Sequence, residues 1–342
     1  MRLFIVGDVH WSEHSSILRG QGERYSVRLE SLIKTIDWCE ETAVEKGCDR
    51  IAYLGDFFDK PTLNDREISA LKEVKWAELL PHDFIVGNHE SSVSGLRFSS
   101  TKILERDGFV VHDTPSDERW GGIQLCFLPY VTEDERKPLT EYFHKTEGKR
   151  VVLSHNDIKG ISFGKVESKT GFPIGEIEGA SDLYVNGHLH NGSWVTKKVL
   201  NLGNITGQNF GEDACRYEHH AAILDTETLV IEFVENPYAL NFEQIDVKNY
   251  GDIGNLLLKK SNMVVNFRCA NGLVTSLKDM LKSFDKSQLL ESRITSVKEP
   301  TKKSSESPKL EAIDGDGKFS EFMLERLGDS EMVRQEIAEV LR

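Results

Sequence analysis

The strongest constraint on the fold is a recurring unit, a strand-length aliphatic run that stops at a turn and hands over to aspartate, asparagine or histidine. Leu3 to Val6 stops at Gly7 and is followed by Asp8 and His10. Ile51 to Leu54 leads to Gly55 and Asp56, and Phe84 to Val86 leads to Gly87, Asn88, His89 and Glu90. Val151 to Leu153 leads to His155, and Leu183 to Val185 leads to Gly187, His188 and His190. Runs apolar at every position belong to strands buried on both faces, the habit of parallel sheets. Between the first two runs, Leu29, Leu32, Ile33, Ile36, Cys39 and Ala43 recur at helical spacing and end near Gly47. After the turn at Pro61, Ile68, Leu71, Val74 and Glu78 mark a second, mostly amphipathic helix. Alternating strands and helices predict a mainly parallel sheet whose carboxyl-end loops carry the site.

Ile123 to Val131 is a further strand, while Ser193 to Leu202 and Ala221 to Val234 read as antiparallel hairpins that build a second sheet on the first. The expected fold class is therefore α/β, a two-sheet αββα sandwich. Its 342 residues leave room for more than one unit. Residues 1–235 carry every motif and form the expected catalytic domain. Residues 236–293 mix strand-like and helix-like runs, a small α+β capping domain. Residues 294–317, rich in lysine, serine and proline, read as a flexible linker. Residues 318–342 carry Phe319, Phe322, Met323, Leu327, Val333, Ile337 and Leu341 at spacings that place apolar stripes on helices. Such a segment must fold back on its own small domain or bury those stripes on another chain.

The net charge of −14 argues against a protein that holds nucleic acid by a broad basic surface. It does not exclude a phosphate-bearing substrate, because bound cations neutralise the carboxylates that gather them. Cys39, Cys48, Cys126, Cys215 and Cys269 form no C-x-x-C pair, which fits reduced thiols. The N-terminus has no signal-peptide pattern and no apolar run approaches the roughly 18 residues of a membrane span. The expectation is a soluble, cytoplasmic protein, in the host cytoplasm if the chain is viral, with no membrane partner.

His188 and His190, two residues apart in extended chain, share a face and can serve one metal cluster. Hydrolysing a phosphodiester near neutral pH needs a hydroxide nucleophile and charge neutralisation, which two divalent metals about 3.5 to 4 Å apart supply. Carboxylate, imidazole and amide donors without cysteine suit manganese, iron or zinc better than calcium or a thiolate cluster. His14, His112, His144, His219 and His220 lack such a context and read as surface or loop residues.

The motif order D-x-H, G-D-x-x-D, G-N-H-D/E, H and G-H-x-H resembles that of the calcineurin-like metallophosphoesterase superfamily over roughly residues 1–235. The resemblance implies that Asp8, His10 and His190 bind one metal, that Asn88, His155 and His188 bind the other, and that Asp56 bridges them. It makes His89 catalytic, stabilising or protonating the leaving oxygen. The two divalent ions would be manganese first, with magnesium, iron or zinc as alternatives.

Protein phosphatases of the superfamily follow G-D-x-V-D with an arginine that grips a phosphomonoester, where this chain has Lys60 and Pro61. Gly55-Asp56-Phe57-Phe58-Asp59 is more similar to the G-D-x-F-D of SbcD-type nucleases, a group that includes the recombination endonuclease subunits of large bacteriophages. Some relatives have histidine in place of Asp59 and many have aspartate in place of Glu90, which reads as a support behind the ligands. This resemblance implies a 3'-5' double-strand exonuclease and single-strand endonuclease of a DNA break-processing and recombination complex. Its partners would be DNA and an SbcC-type coiled-coil ATPase bound through residues 318–342, in a heterotetramer built on a homodimer. The competing readings are a stand-alone metallophosphatase or cyclic-nucleotide phosphodiesterase, and a metal-stabilised scaffold without turnover.

Overall fold

The computed structural model describes residues 1–297 apart from 14–16, 19, 93–94, 145–146, 164–165, 212–216, 250–251, 253–259, 283 and 286–287. Cys215, His14 and the expected helical segment 318–342 thus lie outside the described residues.

Two six-stranded sheets face each other. In the first, Arg2–Val6, Arg50–Tyr53, His82–Ile85 and Phe109–His112 run parallel in that order. In the second, Leu183–Asn186 lies parallel to both Arg150–Ser154 and Val199–Asn201, and Ile123–Leu128 is parallel to Arg150–Ser154 on its far side. Antiparallel Ser116–Trp120 and Ser193–Trp194 close its two edges.

Alternation along each strand sorts side chains between layers. Leu3 and Ile5 join Ala52, Leu54, Val151, Leu153 and Val185 in the core between the sheets. Phe4 and Val6 point the other way, onto Leu29, Leu32, Ile36 and Cys39 of the helix Val27–Glu45. Val152 and Tyr184 pack outward from the second sheet onto Ile177 and Ala180 of the helix Ile174–Ala180. The layers are helix, sheet, sheet, helix, the expected sandwich.

Three local expectations differ. The hairpin His220–Asp225 and Ile231–Glu235 extends the first sheet instead of building the second, with His220–Asp225 antiparallel to Arg2–Val6. Ala221 and Ile223 face the helix layer while Ala222 and Leu224 face the inter-sheet core, so this strand is buried on both sides and belongs beside a central strand. The second helix spans only Asp65–Leu71, opened by a capping box between Asn64 and Glu67. It stops because side chains of the first helix capture the amides beyond it: Lys75 N donates to Asp37 Oδ1 at 2.8 Å and Ala77 N to Glu40 Oε2 at 2.9 Å. Finally, Leu289–Val297 is a strand, so the stretch read as linker from residue 294 begins inside regular structure.

That strand completes a small parallel sheet with Asn241–Val247 and Met263–Ala270. The helix Val274–Leu281 covers it through Leu277. Phe242 and Val264 meet Leu18, Leu240 and Phe210, which seats the small sheet on the rest of Met1–Val297.

Candidate metal centre

The carboxyl ends of strands from both sheets converge, and backbone-to-side-chain bonds lock the loops they carry. Asp8 Oδ1, from the first sheet, accepts from His188 N of the second at 2.9 Å. His155 Nδ1, from the second sheet, donates to the carbonyl of Leu54 in the first at 2.7 Å. His10 N donates to the carbonyl of Asp56 at 2.8 Å. Three of these residues adopt left-handed backbone, with φ of 52° at His10, 45° at Asp56 and 72° at His188. For non-glycine residues that costs on the order of 1–3 kcal/mol each, and such strain persists where the surroundings over-determine it. The close approach also needs glycine. A Cβ on Gly55 would sit 2.4 Å from His155 Nδ1, and one on Gly87 would sit 2.1 Å from Asp56 Oδ1.

Among the described residues, donor atoms of Asp8, His10 and His190 lie within 4.8 Å of one another, as do those of Asp56, His155 and His188. Asn88 joins the second group, its Oδ1 3.2 Å from His155 Nε2 and 3.0 Å from His188 Nδ1. Asp56 stands between the groups, with Oδ2 3.1 Å from His155 Nε2 and 4.0 Å from His10 Nε2. All seven residues named from the motifs as ligands are thus brought together. A third group, His10, Asp59 and His89, adjoins the first.

The donor set fits divalent cations. Asp8 is fully buried, yet its Oδ2 has no hydrogen-bond partner. His10 Nε2 and His190 Nε2 face each other at 3.2 Å, although the other nitrogen of His10 is committed to Asp59 Oδ1 at 3.1 Å. Two imidazole lone pairs at that distance require a cation or a proton between them. Three of the four imidazoles have their remote nitrogen held: His155 Nδ1 by Leu54, His10 Nδ1 by Asp59, and His188 Nε2 by Asp157 Oδ1 at 3.2 Å. This fixes which nitrogen each ring presents, the usual duty of groups behind metal ligands. Asp157 had no motif to mark it in the sequence.

The field matches. Burial opposes charge on Asp56, but His155, His10 and His89 hold its carboxyl far below the usual range. Burial also disfavours charge on His155, yet Asp56 and Asp8 push it up to about 9. A centre that draws a proton onto His155 this strongly is one where a metal cation can replace it.

His89 is the exposed member of the cluster. Its backbone N donates to Asp56 Oδ1 at 2.9 Å, and its Nδ1 lies 3.2 Å from the carbonyl of Asp59 and 3.5 Å from Oδ1 of that residue. The hydrogen bond to Asp59, reinforced by Asp56, raises it to about 9 against a burial penalty. The Asp59 contact thus favours the charged imidazole at the open side of the cluster. Glu90, fully buried, accepts from Phe58 N at 2.9 Å and from Gly87 N at 2.8 Å, tying the loops of Asp56 and Asn88 together. Of the remaining histidines, His144 is exposed as expected, but His112 stacks on Phe127 and bonds Asp83, and His219 is buried. No local pattern signals either environment.

A buried dimetal-type cluster at the carboxyl ends of a two-sheet sandwich defines a metal-dependent phosphoesterase. The model of the calcineurin-like phosphoesterase family matches residues 1–214, and the chain belongs to that family. No curated protein matches it. Among the described residues, no helix is long and apolar enough to cross a membrane.

Divalent ions held by Asp8, His10, Asp56, Asn88, His155, His188 and His190 would neutralise phosphoryl oxygens and acidify an attacking water. The chain's own contribution is to bury and orient those donors, with His89 held against Asp59 at the open side.

Proposed function

We propose that this phosphoesterase is a DNA nuclease, a phosphodiesterase with 3'-5' exonuclease action on duplex ends and endonuclease action on single strands. The observation that carries this reading is the position of Lys60. It occupies the place where phosphatases of the family hold a monoester-gripping arginine, and its Nζ is bound to Glu67 Oε1 at 2.9 Å. Glu67 is fully buried and also accepts from Glu13 N and Asn64 N at 2.9 Å each, so it is a fixed anchor. A phosphomonoester carries nearly two negative charges and needs that extra cation; a diester carries one and does not. The G-D-x-F-D form at 55–59 and the small domain after the sandwich agree with an SbcD-type nuclease. In this reading His89 protonates the leaving oxygen, manganese fills the centre, and residues 318–342 attach an SbcC-type ATPase.

The test compares three substrates with the full chain and manganese: linear or single-stranded DNA, a phosphopeptide, and bis-p-nitrophenyl phosphate. Metal-dependent DNA cleavage far exceeding phosphate release from the peptide is expected. Efficient phosphopeptide turnover without DNA cleavage would overturn the proposal, and no turnover of any substrate would favour a scaffold.

A further inference from the structure

A groove of about 560 Å³ is lined by Tyr130, Tyr142 and residues between them in the chain. That volume falls within the roughly 300–1,000 Å³ of sites that enclose a small-molecule-sized group. Its link to the candidate ligands is Tyr130, half-buried, with its ring centroid 5.8 Å from that of His188 and tilted 43° to it.

Loops carrying candidate ligands hold Tyr130 in place. Its N donates to the carbonyl of Val86 at 3.0 Å, two residues before Asn88. Val131 N donates to Asn156 Oδ1 at 2.8 Å, and Asn156 Nδ2 donates to the carbonyl of Pro129 at 2.9 Å. Asn156 directly follows His155. The backbone at Tyr130 is therefore indexed to the cluster through both sheets.

Beyond Tyr130 the lining includes Pro129, Val131, Pro115 and Leu96. Its cations, Arg136 and Lys137, are outweighed by Asp113, Asp134 and Glu135. Arg136 is moreover engaged by Glu133 at 2.7 Å. Such a groove is poorly suited to a second phosphate and well suited to a flat, weakly polar ring. Aromatic and proline faces accept any base through its π-surface, without reading sequence.

We infer that this groove is a nucleobase subsite, in which the base next to the scissile phosphate stacks on Tyr130 at the edge of the metal centre. The inference rests on the nuclease reading above and specifies how that substrate is held.

Single abasic nucleotides placed along an oligonucleotide test it, with the manganese-loaded full chain. Removing the base at one position flanking the cut should raise KM by roughly 5- to 150-fold, the range that loss of one base–aromatic stack produces. In Tyr130→Ala the intact oligonucleotide should show that rise, and the abasic one no further rise; Tyr130→Phe should behave as the native chain. A second readout needs no turnover: 2-aminopurine at that position should be quenched on binding to manganese-loaded His89→Ala but not to manganese-loaded His89→Ala/Tyr130→Ala. Cleavage by the native chain that is indifferent to every base removal would overturn the subsite alone. Turnover of bis-p-nitrophenyl phosphate without cleavage of any oligonucleotide would overturn the nuclease reading and the subsite together.

Discussion

Replacing Glu90 by alanine should destabilise the protein far more than a change behind the ligands would suggest. The side chain is fully buried, and its two oxygens each take one backbone amide, Phe58 N at 2.9 Å and Gly87 N at 2.8 Å. Alanine leaves both donors buried without an acceptor. An unsatisfied buried donor costs about 1–3 kcal/mol, so the pair sums to about 2–6 kcal/mol before any cavity is counted. Glutamine keeps one acceptor oxygen and turns an NH₂ group toward the other amide, so it should lose about half as much. The same amides flank Asp56 and Asn88, so metal affinity should fall in the same order. Urea unfolding of the chelator-treated full chain, followed by tryptophan fluorescence, measures the stabilities, and titration with manganese measures the affinities. A loss below about 1 kcal/mol for Glu90→Ala, or a glutamine variant as weak as the alanine one, would refute the two-amide brace.

Other outcomes follow from the same geometry. His89→Ala should lower turnover by about 10² to 10⁴ while retaining both metals, whereas Asp56→Ala should lose metal along with activity. Elemental analysis separates them: a metal missing from the first or two retained by the second contradicts the assigned roles. Burial, with His219 beside it, lowers His220 below its ordinary value, so folding favours its neutral form and stability should decline as pH falls through about 6.5. His220→Gln should show a smaller drop in Tm between pH 7.5 and 5.5 than the native chain, and an equal or larger drop would contradict this. Deleting residues 318–342 should abolish co-purification with an SbcC-type ATPase while manganese-dependent cleavage of short single strands persists. Binding preserved with solubility lost would place the segment in the core instead.

The sequence by itself determined which residues would meet and roughly where strands lie. Apolar runs such as Leu3 to Val6 and Leu183 to Val185 are short-range signals, and the residues after them are fixed to strand ends by chain connectivity alone. Motif order marks Asp8, His10, Asp56, Asn88, His155, His188 and His190 without any geometry. Tertiary structure decided what depends on partners distant in the chain. The runs read as one mainly parallel sheet divide between two, and the hairpin at 220–235 takes the free side of Arg2–Val6. The second helix ends at Leu71 because Asp37 and Glu40, from another helix, hold the amides it would have used. Lys60 is committed by Glu67, and Asp157 earns its place only by facing the far nitrogen of His188. The left-handed backbone of His10, Asp56 and His188 is the clearest case, since local preference opposes it at each residue. Bonds between distant loops hold those conformations, His10 N to the Asp56 carbonyl within the first sheet and His188 N to Asp8 across the two, and no local pattern encodes bonds between residues so far apart.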